Sequence, residues 1–168
     1  MIFVTGAGGL LGSHIAYELL RQGFEVRCLT RGNSAGHQLR EVFRFLDNAR
    51  GDDYFNQIQW VTGDLLEPES IESALSGCEA VVHAAGVVSY HRRDRAMMYK
   101  VNVEGTALLL ELSARAGIGR FAHVSSIAAL GSARQGRPVT ESDHWNAADY
   151  HTHYGISKHL AELEVFRA

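Results

Sequence analysis

Apolar positions along this chain follow two periods. Short apolar runs at Ile2 to Thr5, Val26 to Leu29, Ile58 to Val61, Ala80 to His83 and Phe121 to Ser125 predict five strands. Between them the period lengthens. Leu11, Ile15, Leu19 and Leu20 predict a helix closed by Gly23, and Leu39, Val42, Phe43 and Leu46 predict a second. Pro68 suits the first turn of a helix running to Leu75, which Gly77 can cap in the left-handed conformation. Val101, Leu108, Leu109 and Leu112 predict one long helix from Arg95 to Ala116, ended by Gly117, and a last helix starts near Tyr154 through Leu160, Leu163 and Phe166. From Gly131 to Tyr150 the chain is polar and irregular. Strands alternating with helices predict an α/β fold, a doubly wound parallel sheet whose ligands bind beyond the carboxyl ends of its strands.

Composition narrows the classes of function. A chain of 168 residues with 46% hydrophobic residues can bury the core of one domain, expected to span 1–168. Sixteen basic against 19 acidic residues leave a charge of -3 with no long basic run, so nucleic acid is not an expected partner. The N-terminus runs straight from an apolar segment into glycines, and no apolar run approaches bilayer length, so no membrane partner is expected. Cys28 and Cys78 match neither a disulfide framework nor a metal-site spacing, and a cytoplasmic location is the expectation.

The segment Thr5-Gly6-Ala7-Gly8-Gly9-Leu10-Leu11-Gly12 follows the first strand and opens the first helix. Gly6 permits a sharp turn, Gly9 lets backbone approach a pyrophosphate at the helix N-terminus, and Gly12 allows close packing of helix and strand. With a strand before it and a helix after it, the pattern predicts dinucleotide binding. An acid at the end of the second strand would hold the ribose hydroxyls of NAD, but Arg31 stands there and can pair with the 2′-phosphate of NADP. A solvated surface arginine is the alternative. Asp64, in Gly63-Asp64-Leu65, can accept from an adenine amino group or simply cap the helix that contains Pro68.

Tyr154-Gly155-Ile156-Ser157-Lys158 puts a phenol and an ammonium four residues apart on one helical face. A cation about 4 Å from a phenolate contributes roughly 4 kcal/mol at an effective dielectric near 20, enough to draw a tyrosine toward the range of a general acid/base. Spacing alone is common on solvated helices, but this chain has only two lysines, Lys100 and Lys158. With Gly6, Gly9 and Gly12, Gly63-Asp64-Leu65, His83-Ala84-Ala85-Gly86, Asn102-Val103-Glu104-Gly105-Thr106, Val124-Ser125-Ser126 and the Tyr154/Lys158 pair, the sequence resembles the extended short-chain dehydrogenase/reductase superfamily, the NAD-dependent epimerase/dehydratase branch.

The resemblance implies a Rossmann-type sheet and hydride transfer at a carbinol or carbonyl carbon. It implies Tyr154 as general acid/base, Lys158 as its modulator and a ligand of the nicotinamide ribose, and Ser126, rather than Ser125, as the hydrogen-bond donor to substrate oxygen. Gly6, Gly8, Gly9, Leu10, Leu11, Gly12, Arg31, Asp64, Leu65, Ala84, Ala85, Gly86, Asn102, Tyr154 and Lys158 would then contact the cofactor, NADP with NAD as the alternative. Either serine can instead satisfy backbone groups at a strand end, and Asn102 can tie its helix to a neighbouring strand or relay protons. The expected substrate is an alcohol, a ketone or a nucleotide sugar, and a homodimer is expected. A retained-NAD epimerase or dehydratase, or a non-catalytic redox-sensing module, are the alternatives. The family pattern continues into a sixth strand and a C-terminal substrate segment, so the chain is expected to be truncated before them. His151 and His153 lack a metal-ligand spacing and are expected in a loop, and His91, Arg92 and Arg93 form a small basic cluster that can meet an anionic substrate or simply be solvated.

Overall fold

The structure is a computed structural model that describes residues 1–32, 34–131, 136–143, 145–148 and 151–168, with Ser34 and Ala35 described by their backbone alone. The chain divides into two compact units, Met1–Ala85 with Leu108–Val124, and Gly86–Ala107 with Ser125–Ala168.

All five strands lie in the first unit: β1 (Ile2–Thr5), β2 (Val26–Thr30), β3 (Gln59–Thr62), β4 (Ala80–His83) and β5 (Arg120–His123). They form one parallel sheet in the order β3-β2-β1-β4-β5. Strand order reverses at β1, whose Ile2 pairs with Val26 on one side and Ala80 on the other. The predicted α/β parallel sheet is therefore present, with β3 and β5 each shifted toward one end of its predicted run. Phe3, Val4, Val26, Cys28 and Val81 are buried, as the continuous apolar runs of parallel strands require.

Helices α1 (Leu10–Arg21), α2 (Ser34–Leu46), α3 (Gly51–Asn56) and α4 (Pro68–Leu75) belong to the same unit. Pro68 stands at the start of α4, and Gly23, Gly77 and Gly117 take positive φ at the predicted helix ends. The sequence pattern does not announce α3. Tertiary packing holds it: Gly51 lies so close to α2 that a Cβ there would stand 2.4 Å from the Phe43 carbonyl oxygen. Tyr17 meets Phe43 and Tyr54 edge-on, with ring centroids 5.4 and 5.5 Å apart.

In the second unit a 3-10 turn (Arg92–Asp94) leads into α5 (Arg95–Tyr99), which continues through a π turn (Lys100–Glu104) into α6 (Gly105–Arg115), a helix whose C-terminal part belongs to the first unit. The predicted long helix is present, but with a wide turn at its middle. A 3-10 turn (Ile127–Ala129) and α7 (His153–Arg167) complete the unit. No helix among the described residues is long and apolar enough to cross a membrane.

Candidate active site

The glycine turn at the end of β1 is pinned to the end of β4. Thr5 is fully buried, its Oγ1 is 2.7 Å from His83 Nδ1 and accepts from the Ala85 N–H at 3.3 Å, and the Ala84 N–H donates to the Thr5 carbonyl. This closeness leaves no room for a side chain at Gly6, where a Cβ would stand 2.5 Å from the Ala84 carbonyl carbon and where φ is +74°. A Cβ on Gly12 would stand 2.1 Å from the Gly6 carbonyl oxygen, so Gly12 lets α1 lie against the turn itself.

Gly9 differs from both. Its φ is an ordinary -85°, and the nearest atom to a Cβ would be the Gly6 oxygen at 3.4 Å. Gly9 supplies no side-chain cap to α1, and the first turn contains no acid. The leading N–H groups of Leu10, Leu11 and Gly12 thus have neither an intrahelical acceptor nor a capping carboxylate, with Gly8 and Gly9 leading into them. An uncapped helix start reached through glycines fits the diphosphate of a dinucleotide.

Arg31 follows β2, is exposed, and has no carboxylate within ion-pair distance among the described residues. Asp64 follows β3, which neighbours β2, and its Oδ1 accepts from the Leu66 N–H at 2.9 Å. Its backbone N–H and carbonyl both meet Ser70 Oγ, at 3.2 and 3.0 Å. Asp64 therefore shapes the corner leading to α4, although the N-cap position of α4 belongs to Glu67, whose side chain makes no capping hydrogen bond. Leu65 is buried, so its side chain serves the core.

In the second unit Asn102 organises the polar interior. It sits in the π turn and is 1% exposed. The Val87 N–H donates to its Oδ1 at 2.7 Å, and its Nδ2 donates to the Val87 carbonyl at 2.9 Å and to Ser157 Oγ at 3.0 Å. The amide pairs with the segment after β4 as a neighbouring strand would, and Gly86 keeps that segment close. Ser157 Oγ in turn donates to the Tyr154 carbonyl at 2.8 Å. Wide π turns often mark functional sites, and this one gives Asn102 a place within reach of both partners.

Tyr154 and Lys158 lie one turn apart in α7, which Thr152 caps by accepting from the Gly155 N–H at 3.0 Å. Gly155 brings this turn against the one that follows Ser126, because a Cβ there would stand 2.5 Å from the Ala128 carbonyl oxygen. Ser126 Oγ accepts from the Ala128 N–H at 3.2 Å, which leaves its own proton to donate. Ser125 Oγ is buried without a hydrogen-bond partner among the described residues. Lys158 is buried, and desolvation of its ammonium lowers its pKa to about 8, with Glu162 opposing. The lysine is still mostly protonated at neutral pH.

The structure thus groups Asn102, Ser126, Tyr154, Lys158 and Gly86 in one unit and Gly6, Gly12, Ala84 and Ala85 in the other. Gly155, Ser157 and Thr152 were not singled out from the sequence, although a threonine just before a helical pattern is a start signal. Of the two histidines expected in a loop, His151 precedes α7 and stacks on Trp145 with centroids 3.6 Å apart, whereas His153 is the first residue of α7, behind the Thr152 cap, and its Nδ1 is 3.3 Å from Tyr99 Oη.

A parallel sheet with an uncapped helix after β1 defines a dinucleotide-binding fold. The model of the NAD dependent epimerase/dehydratase family matches residues 2–168, and the chain belongs to this family. It is 32% identical over 166 residues to a putative dihydroflavonol 4-reductase of Synechocystis, covering 99% of this chain and 44% of that protein. It is 34% identical over 170 residues to sterol demethylase protein B of Methylococcus capsulatus, covering 98% and 47%. Among solved structures it resembles a short-chain dehydrogenase/reductase superfamily protein of Agrobacterium tumefaciens with bound NAD, at 30% identity and a TM-score of 0.75, covering 98% of this chain and 44% of that one. The chain spans about half the length of the curated relatives it matches.

Proposed function

We propose that residues 1–168 are the dinucleotide-binding part of an NADP-dependent oxidoreductase acting on an alcohol or ketone. The observation that carries this is a buried lysine, mostly protonated at neutral pH, one helical turn from Tyr154 on a helix held against the Ser126 turn. In the reductive direction the Tyr154 hydroxyl gives its proton to the substrate oxygen, and the Lys158 ammonium stabilises the phenolate left behind. Ser126, whose oxygen is already engaged by the Ala128 N–H, donates its proton to the same substrate oxygen. Bound nicotinamide would supply the hydride.

The start of α1 would receive the diphosphate, and Arg31 the 2′-phosphate that distinguishes NADP. Arg31 also favours a reductase, which exchanges its dinucleotide every turnover, over an epimerase that retains it. A cytoplasmic homodimer acting on small molecules completes the proposal.

Tyr154→Phe in the active protein tests it. Turnover of a ketone with NADPH should fall about 10²- to 10⁴-fold, with NADPH affinity within threefold of wild type. Unchanged turnover would contradict the role given to Tyr154.

A further inference from the structure

The second unit carries a pocket of about 390 Å³ lined by Arg92, Arg93, Arg95, Ala96 and Tyr99. This is within the size range of small-molecule sites. The three arginines have one carboxylate in their own segment, Asp94, and that carboxylate is engaged: Ser89 Oγ donates to it at 2.7 Å, and Arg93 Nε lies 3.6 Å from it. Arg92 and Arg95 have no ion-pair partner among the described residues. Arg95 lies over the Tyr99 ring, 5.8 Å from its centroid.

Guanidiniums match the planar, bidentate geometry of carboxylate and phosphate oxygens.

The segment that lines the pocket meets the start of α7 at two points. Tyr99 Oη is 3.3 Å from Nδ1 of His153, the residue before Tyr154. The Tyr90 ring centroid is 6.5 Å from that of Tyr154, and two residues of chain, at most about 7 Å, separate Tyr90 from Arg92. Both contacts bring the segment that carries the arginines against the start of α7, where Tyr154 stands.

We infer that this pocket seats the anionic group, a carboxylate or a phosphate, of the substrate on which Tyr154 acts, an inference that rests on the acid/base role proposed above for Tyr154. The substrate class is then an anionic ketone or alcohol.

Calorimetric titration of the chain with malonate, and separately with inorganic phosphate, at constant ionic strength against a chloride control, tests the pocket directly. Saturable binding of one of them should weaken at least tenfold in Arg92→Ala/Arg95→Ala and stay unchanged in Arg120→Ala/Arg167→Ala, which removes the same charge elsewhere. The tighter of the two anions names the group. No saturation above chloride, or equal loss in both double variants, overturns the inference. Tyr154→Phe separates it from the reading on which it rests: this variant should keep anion binding while turnover collapses. Turnover that survives Tyr154→Phe overturns the acid/base role and with it the assignment of the pocket to that substrate. Anion binding lost in Tyr154→Phe but kept in Arg92→Ala/Arg95→Ala overturns the pocket alone.

Discussion

The glycine turn of the first unit and the Ser126/Tyr154/Lys158 group of the second are built on opposite plans. The turn depends on side chains being absent: Gly6 and Gly12 leave backbone against backbone, and the uncapped α1 leaves its first N–H groups to solvent or to an external anion. The second unit depends on side chains being present and held. Asn102, buried in a wide helical turn, fixes Val87 and Ser157, and Ser157 bonds the Tyr154 carbonyl. The first plan fails by steric overlap and the second by loss of hydrogen bonds, so substitutions should separate them.

The largest effect is expected at Gly12. A methyl group 2.1 Å from the Gly6 oxygen meets backbone that cannot give way, so Gly12→Ala should cost more than about 3 kcal/mol and leave the chain largely unfolded in a thermal melt. A melting temperature equal to that of wild type would show that α1 can shift away from the turn.

Next comes Lys158, where the expectation is a dependence on pH. Its pKa falls from 10.5 to about 8, so between these values the unfolded chain binds more protons than the folded one, and stability rises with pH. The penalty of burying the cation is complete below about pH 8 and is relieved toward pH 10.5. Relative to Lys158→Met, wild type should gain up to about 3 kcal/mol across this window, measured by urea unfolding at several pH values. A flat difference would contradict the buried cation. The same titration removes the positive charge beside Tyr154, so turnover should decline above about pH 8, and Lys158→Arg should move that decline upward.

Asn102→Ala is expected to cost less, about 2 kcal/mol, because it strands the Val87 N–H and carbonyl and removes one donor to Ser157. Chemical denaturation reads the loss. A change below about 0.5 kcal/mol would mean that water or neighbouring groups replace the amide.

The contrast in plan also explains what could be read from the sequence. Glycines that must adopt positive φ or admit close backbone leave a local signature, and Gly6, Gly23, Gly77 and Gly117 stand where the pattern placed them. Strand positions were legible to within about two residues, since apolar runs mark burial rather than pairing. β5 ends at His123, whose partner His83 is the last residue of β4, while β3 gains Thr62 through its pairing with Thr30. Six-residue α3 was not legible, as it has no apolar period of its own and depends on Gly51 meeting Phe43. The π turn was not legible either, because the same residues read as ordinary helix until Val87 and Ser157 are brought to Asn102 from positions 15 and 55 residues away. Asp64 does not cap the Pro68 helix, whose N-cap position is Glu67, and only the structure shows its Oδ1 accepting from the Leu66 N–H.

Gly9 provides the most direct test of the dinucleotide cradle. Its backbone is unstrained and a methyl group would fit as the molecule stands, so a requirement for glycine here would come from a bound phosphate. The measurement is fluorescence titration of NADPH and NADH into wild type and Gly9→Ala, with circular dichroism to confirm equal folding. Wild type should saturate with NADPH more tightly than with NADH, and Gly9→Ala should fold as wild type does while losing at least tenfold in affinity for both. Equal affinities in the two proteins, or no saturable binding by a folded wild type, would contradict the proposal that this turn holds a dinucleotide.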